Sequence, residues 1–255
     1  MSEFEKLGLK KNILEALAKL KYKKALEVQK QVIPVAREGH NLVFTSRTGS
    51  GKTLAYLLGF LGKVNKKFNA QMLIIVPTRE LCIQVGKEIL KVCEKLDLNV
   101  GTIYGGREIS GDYRTLSKKN QIIVATPGRV KDHINSKSLK VGDVRYLVFD
   151  ESDQMFDEGF YDDCAYIKQR VSKDAQIVFA SATMTEKVKE FMAEEIVEYK
   201  LLRIGELIPK NIVQQKLFCE IDEKNEVLIS ILKRKKFKRM IIFCNTKVKS
   251  YNINE

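Results

Sequence analysis

The chain has 255 residues, 44% of them hydrophobic and 30% charged, enough for one large domain or one domain and part of another. Its net charge of +13 favours a polyanionic partner, nucleic acid first, although a lysine-rich proteome gives the same balance. The absence of a membrane-length apolar run, of a signal-peptide opening at Met1-Ser2-Glu3, and of paired cysteines or a Cys/His cluster speaks against membrane, exported and zinc-bound classes.

Ile13, Leu14, Leu17 and Leu20 recur at helical spacing, as do Leu26, Val32, Ile33 and Ala36, so residues 10–37 predict two helices. Phe4 stands ahead of them as a staple to the core, and Gln29 lies on the second. The apolar run 42–45 predicts a buried strand. It feeds the loop Ser46-Arg47-Thr48-Gly49-Ser50-Gly51-Lys52-Thr53 and then an apolar helix over 54–61. A strand, a glycine loop and a helix N-terminus make a phosphate cradle, because the first amides of the helix have no intrahelical partner. Gly49 and Gly51 let the backbone approach phosphate closely. Lys52 brings a charge for the β- and γ-phosphates, and the Thr53 hydroxyl can hold Mg²⁺. The strict form of this loop has Gly where Ser46 stands, so the match is to its looser form.

Beyond the loop, strands are predicted over 72–76, 100–104, 122–125, 146–149, 177–180 and 201–204. Helices are predicted over 80–95, 128–135 and 186–194, with shorter helical pieces in 110–118 and 152–171. Wholly apolar strands separated by single helices predict an α/β fold: a parallel sheet covered on both faces, with the ligand site at the C-terminal strand ends. Polar tetrapeptides do follow the strands. Pro77-Thr78-Arg79-Glu80, Gly105-Gly106-Arg107, Thr126-Pro127-Gly128-Arg129, Asp150-Glu151-Ser152-Asp153 and Ser181-Ala182-Thr183 each begin where an apolar run stops. An ATPase needs a carboxylate on a neighbouring strand to hold Mg²⁺, and Asp150 is placed for it. A second carboxylate, Glu151, is placed to orient or deprotonate water.

This ordered set resembles the DEAD-box ATP-dependent RNA helicases, from residue 4 to about 247. The loop 46–53 looks like the family's first motif, and Pro77 to Gln84 like its Pro-Thr-Arg-Glu-Leu motif. Asp150-Glu151-Ser152-Asp153 is similar to the name-giving tetrapeptide, with Ser152 where the family has Ala. The resemblance implies a RecA-like P-loop domain that uses ATP and Mg²⁺, with residues 46–53 on the nucleotide and Thr53 and Asp150 toward the metal. It implies that Gln29 reads the adenine edge and Phe4 supports the ring. Here the chain has Ala25-Leu26-Glu27-Val28-Gln29 where the family has Pro-Thr-Pro-Ile-Gln, and Lys21-Tyr22 where it has Gly-Phe. RNA is implied across Pro77, Thr78, Arg79, Gly105, Gly106, Thr126, Pro127, Gly128 and Arg129, with little sequence specificity. Thr183 joins Lys52, Asp150 and Glu151 in the catalytic set, and Asp153, Ser181 and Thr183 are implied to couple hydrolysis to strand separation.

The domain expectation is then adenine-recognising helices over 1–40, a RecA-like core over 41–204, a linker over 205–212 and a partial second RecA-like domain over 213–255. Strands over 216–221 and 240–244 and a helix over 226–233 are predicted for that tail. Ile241 to Lys247 resembles the opening motif of the second domain, but the Arg-Gly-x-Asp and His-Arg-x-Gly-Arg motifs do not follow it. In the family that domain supplies transition-state arginines, worth roughly 10³ to 10⁵ in rate. Two functions stay open: an RNA helicase with turnover crippled by the incomplete second domain, or a nucleotide-dependent RNA-binding module that hydrolyses little. A DNA helicase or an unrelated phosphate-loop ATPase is a third, which Phe4, Gln29 and the Thr126–Arg129 motif oppose. The basic run 233–239 fits either an RNA or nuclear-address segment or the charged end of a helix. The expected setting is intracellular, cytoplasmic, with nucleus or nucleolus as the alternative.

Overall fold

The computed structural model describes residues 2–205, 213, 215–234 and 238–254. The chain forms two compact units, Met1–Pro209 and Lys210–Glu255.

The first unit opens with a 3₁₀ turn, Glu5–Leu7, and the helices α1 (Lys11–Lys19) and α2 (Glu27–Glu38). Strands and helices then alternate: β1 (Leu42–Thr45), α3 (Lys52–Leu61), β2 (Met72–Ile75), α4 (Arg79–Glu94), β3 (Val100–Ile103), α5 (Ser110–Leu116), β4 (Ile122–Ala125) and α6 (Pro127–Asn135). After them come β5 (Tyr146–Asp150), α7 (Ser152–Asp157), α8 (Tyr161–Lys168), β6 (Gln176–Ser181), α9 (Glu186–Glu195) and β7 (Lys200–Arg203). The seven strands form one sheet in the order β3-β4-β2-β5-β6-β1-β7, and every pairing is parallel.

The sequence dictates this layering through simple alternation. Leu42 and Phe44 face one core and Val43 the other; Met72 and Ile74 are split from Leu73 and Ile75 in the same way. Central strands are buried along their whole length, as a sheet covered on both faces requires. On one face α1 to α4 complete the core. On the other, Phe149 stacks on Phe179 at 4.8 Å and Phe156 on Phe191 at 4.9 Å, joining β5 and β6 to α7 and α9. Because all strands point the same way, the turns after β1, β2, β3, β4, β5 and β6 share one rim.

The second unit holds α10 (Lys224–Arg234) and α11 (Lys247–Asn254). The helix expected over 226–233 is there, but the strands expected over 216–221 and 240–244 do not form; residues 215–220 and 240–244 have no regular structure. Apolar alternation alone does not make a strand. Its amides and carbonyls need a ladder partner, and none is supplied here among the described residues. Residues 206–212 of the linker expected over 205–212, and Lys235, Lys236 and Phe237 of the basic run, lie outside the described residues. Among the described residues no helix is long and apolar enough to cross a membrane.

Candidate functional site

Gly51 caps α3 at φ 91°, a left-handed geometry that disfavours any side chain, and α3 begins at Lys52 itself. Arg47, Thr48 and Gly49 are exposed at the loop tip. Ser46 is buried at its base, where its amide donates to the Ser181 carbonyl (3.0 Å) and its hydroxyl to Ser50 Oγ (2.8 Å). Lys52 is only 5% exposed. Its ammonium donates to the Ser46 carbonyl (3.0 Å) and to Glu151 Oε2 (3.2 Å), with Glu151 Oε1 at 3.1 Å. The charge that would meet phosphate is thus held inside the loop by the candidate water-orienting carboxylate.

Asp150 ends β5 and is fully surrounded. Oδ2 accepts from the Tyr56 hydroxyl (2.9 Å) and Oδ1 from the Glu151 amide (3.0 Å). Burial, then the adjacent Glu151 charge, push its carboxyl up to about 6, against the pull of Lys52, Tyr56 and the Glu151 amide. Burial and the same carboxylate drive the Tyr56 phenol well above its ordinary range, so it stays a donor. Glu151 sits at φ 51°, ψ 49°, a left-handed conformation rare outside Gly, which turns the chain sharply from β5 into α7.

Lys52 and Asp150 line one cavity of about 290 Å³, together with Thr48, Gly49, Gly51, Thr53 and Glu151. Its far wall is α4, through Leu81, Gln84, Val85 and Glu88. Burial raises the Glu88 carboxyl above its usual range. Among the described residues no group of three His, Cys, Asp or Glu side chains could hold a metal by itself. Thr53 and Asp150 are hard oxygen donors on one cavity wall. That set fits Mg²⁺, which takes one or two protein oxygens and completes its shell with water and phosphate.

Beside the cavity, Asp153 Oδ2 accepts from the Thr183 amide (2.8 Å) and hydroxyl (2.6 Å), and Ser181 Oγ donates to the Thr183 carbonyl (2.7 Å). Burial alone would raise the Asp153 carboxyl, but these hydrogen bonds outweigh it and hold it low. The three residues expected to act together are therefore one hydrogen-bonded unit. Ser152, between the acids, has a buried hydroxyl with no partner among the described residues, which is a physical reason for Ala to suit that place.

Gln29 does not line the cavity. Its carboxamide oxygen accepts from the Leu26 amide (2.9 Å), and its Nε2 lies 3.5 Å from the Gly51 carbonyl, so it joins α2 to the loop. Phe4 is buried at 1% exposure in the core under α1 and α2.

The RNA candidates occupy the other half of the rim, after β2, β3 and β4. Pro77 is buried, and Thr78 caps α4 by accepting from the Leu81 amide (3.2 Å). Arg79 is exposed, 5.4 Å from the Tyr104 ring centre. The Gly105 amide donates to Thr126 Oγ1 (3.3 Å), so the Gly105-Gly106 turn abuts the one bearing Pro127, Gly128 and Arg129. Arg129 differs from Arg79: its side chain is 10% exposed and bound to Asp112. The sequence reading missed Tyr56 and Asp112. Tyr56 lies one helical turn after Lys52, which was a usable signal. Asp112 gave none, since Arg107 five residues earlier fits no repeating pattern and Arg129 and His133 lie far along the chain.

Residues 26–191 match the family model of the DEAD/DEAH box helicases. The chain belongs to the DEAD/DEAH box helicase family. It is 36% identical over 250 residues to the ATP-dependent RNA helicase CshA of Listeria monocytogenes, across 97% of this chain and 48% of the relative. It is 35% identical over 245 residues to a probable ATP-dependent RNA helicase of Methanocaldococcus jannaschii, across 96% of this chain and 66% of that one. A crystal structure of a DEAD box protein from the hyperthermophile Methanococcus jannaschii matches with TM-score 0.77 and 34% identity, covering 99% of this chain and 69% of the other. A hypothetical ATP-dependent RNA helicase from Sulfolobus tokodaii matches with TM-score 0.70 and 31% identity, over 76% and 57% of the two chains. This DEAD-box chain spans about half the length of the curated CshA relatives it matches. Its seven-stranded parallel sheet is the RecA-like fold expected of that family.

Proposed function

We propose that this chain is the nucleotide- and RNA-binding half of an ATP-dependent RNA helicase, with residues 213–255 the start of a second RecA-like domain. The observation that carries the reading is the shared cavity of Lys52, Thr53, Asp150 and Glu151, on the same sheet rim as the loops of Thr78, Gly106 and Thr126.

In this reading the triphosphate enters along the amides of 47–53 and draws the Lys52 ammonium away from Glu151. Freed of its ion pair, Glu151 orients the attacking water. Thr53 and Asp150 would hold Mg²⁺, which supplies charge neutralisation on the β- and γ-phosphates. Thr183, bonded to Asp153, reports the state of the cavity to the neighbouring strand end. Gln29 and Phe4 serve the adenine end, Gln29 by its amide and Phe4 from within the core beneath it. RNA lies across the turns after β2, β3 and β4, bound through phosphate and sugar with little base information. An intracellular, cytoplasmic setting goes with this reading, and the five cysteines are free.

A binding module with little turnover is the second reading. It is favoured by the lining of the cavity, which includes no arginine among the described residues. One experiment tests both: nucleotide affinity and RNA-stimulated phosphate release, in the 255-residue chain. Lys52→Ala should remove most nucleotide binding, and Glu151→Gln should keep binding and stop release. Unchanged affinity in Lys52→Ala overturns the cavity assignment. Binding of both ligands with no release in the unaltered chain selects the second reading.

A further inference from the structure

We propose that Asp112 is a positioning residue for RNA: it clamps the two turns after β3 and β4 at a fixed spacing, and it takes the Arg129 guanidinium as a tie between them instead of a phosphate ligand. The inference rests on the RNA-binding reading above and refines it.

Asp112 is at the first turn of α5, and its side chain is 0% exposed. Three basic side chains converge on it. Arg107 gives Nε (3.1 Å) and Nη2 (2.6 Å) to Oδ1. Arg129 gives Nη1 to Oδ2 (3.0 Å), and His133 places Nε2 3.2 Å from the same oxygen. Arg107 belongs to the turn after β3, with Gly105 and Gly106; Arg129 opens α6 after β4, with Thr126, Pro127 and Gly128. One carboxylate therefore holds a cation from each turn.

The surroundings close the clamp. Arg129 Nη2 donates to the Arg107 carbonyl (2.9 Å). Arg107 donates to the Tyr104 hydroxyl (3.0 Å) and the Thr102 carbonyl (3.0 Å) and lies 3.9 Å from the centre of the Tyr104 ring. His133 Nδ1 is satisfied by Ser138 Oγ (2.7 Å). Without the carboxylate, two neighbouring guanidinium groups, Arg107 at 30% and Arg129 at 10% exposure, would be left without their shared counter-charge, and the turns would separate. Amides that must meet successive phosphates bind best when their spacing is fixed beforehand.

The proposal has an unusual sign. Asp112→Asn makes the chain one charge more positive and releases Arg129. If Arg129 served RNA by charge, affinity would rise. As a clamp, its loss should weaken binding of a fluorescent single-stranded RNA roughly tenfold, the worth of a hydrogen bond to a charged group. Nucleotide affinity should stay unchanged, showing that the fold is intact. Arg129→Lys keeps the charge and loses the fork; it should weaken RNA binding to a similar degree and leave the slope of log affinity against log salt as it was. The exposed Arg79 is the contrast: Arg79→Gln should lower that slope by about 0.7, the mark of one lost phosphate contact to a single strand. Full RNA affinity in Asp112→Asn or in Arg129→Lys overturns the clamp, as does a lowered slope in Arg129→Lys. If Asp112→Asn does not fold, Arg129→Lys decides alone. No salt-dependent RNA binding by the unaltered chain would overturn the RNA reading itself, a different failure.

Discussion

Both oxygens of the Asp150 carboxylate are already occupied, one by the Tyr56 hydroxyl and one by the Glu151 amide. This fixes the side chain before any ion arrives, while burial and then the adjacent Glu151 charge, against these hydrogen bonds, set when the group ionises. The folded carboxyl titrates near 6, above the ordinary range, so the charged form is populated above that pH and lost below it. A magnesium ion needs the charged form. The Mg²⁺-dependent part of nucleotide affinity should therefore fall as pH drops through about 6. Removing one hydrogen bond to the charged form raises the carboxyl further, so Tyr56→Phe should move that fall to higher pH. A fluorescent nucleotide titrated between pH 5 and 8, with Mg²⁺ and with chelator, measures it; superimposable profiles for the two proteins would remove Tyr56 from the site. Glu151, Lys52 and Asp150 were legible in the sequence because each closes or opens an apolar run. The spacing of Tyr56 from Lys52 put it near the site, but its contact with Asp150 was not legible, because nothing in a linear pattern says that a phenol on one helix reaches a carboxylate on a distant strand. Nor does a pattern show that Arg79 stays open while Arg129 is tied down.

At the scale of elements, the strands and helices of the first unit fall within a few residues of their expected places. The helix expected from 54 begins at Lys52, since Gly51 can take the left-handed cap that starts it earlier. The tail strands failed for the opposite reason: an apolar run was present, but its ladder partners were not. Helix contact gives a sharper test of how α2 presents Gln29 to the loop that α3 carries. A Cβ built at Gly59 on α3 would lie 2.5 Å from Ala36 Cβ on α2. Gly→Ala gains about 1 kcal/mol of helix propensity, but overpacking of this kind costs about 1–3 kcal/mol. Contact should win, so Gly59→Ala should lower the thermal midpoint and weaken nucleotide binding. At Gly62 the nearest atom to such a Cβ is 3.7 Å away, and Gly62→Ala should be neutral or slightly stabilising. Equal midpoints for Gly59→Ala and the parent chain would mean that α2 and α3 are not held this closely.

For the whole molecule, the distribution of cores decides what depends on what. Both buried clusters, the seven strands and every residue proposed for nucleotide or RNA lie in Met1–Pro209. The described part of the second unit leaves Phe218, Ile221, Ile241 and Phe243 exposed, and a stretch of that length is close to the roughly 40-residue limit for folding unaided. Binding should therefore be a property of the first unit. A chain ending at Pro209 should keep the nucleotide and RNA affinities of the longer one and unfold in a single cooperative step. Its solubility should improve, because exposed large apolar side chains, Phe218, Ile221, Ile241 and Phe243 among them, leave with the tail. Hydrolysis gives the complementary readout. If the cavity alone sets the rate, the shortened and longer chains should release phosphate equally. A loss of affinity on removing residues 210–255 would show instead that the tail helps build the site, against the placement of all its residues in the first unit.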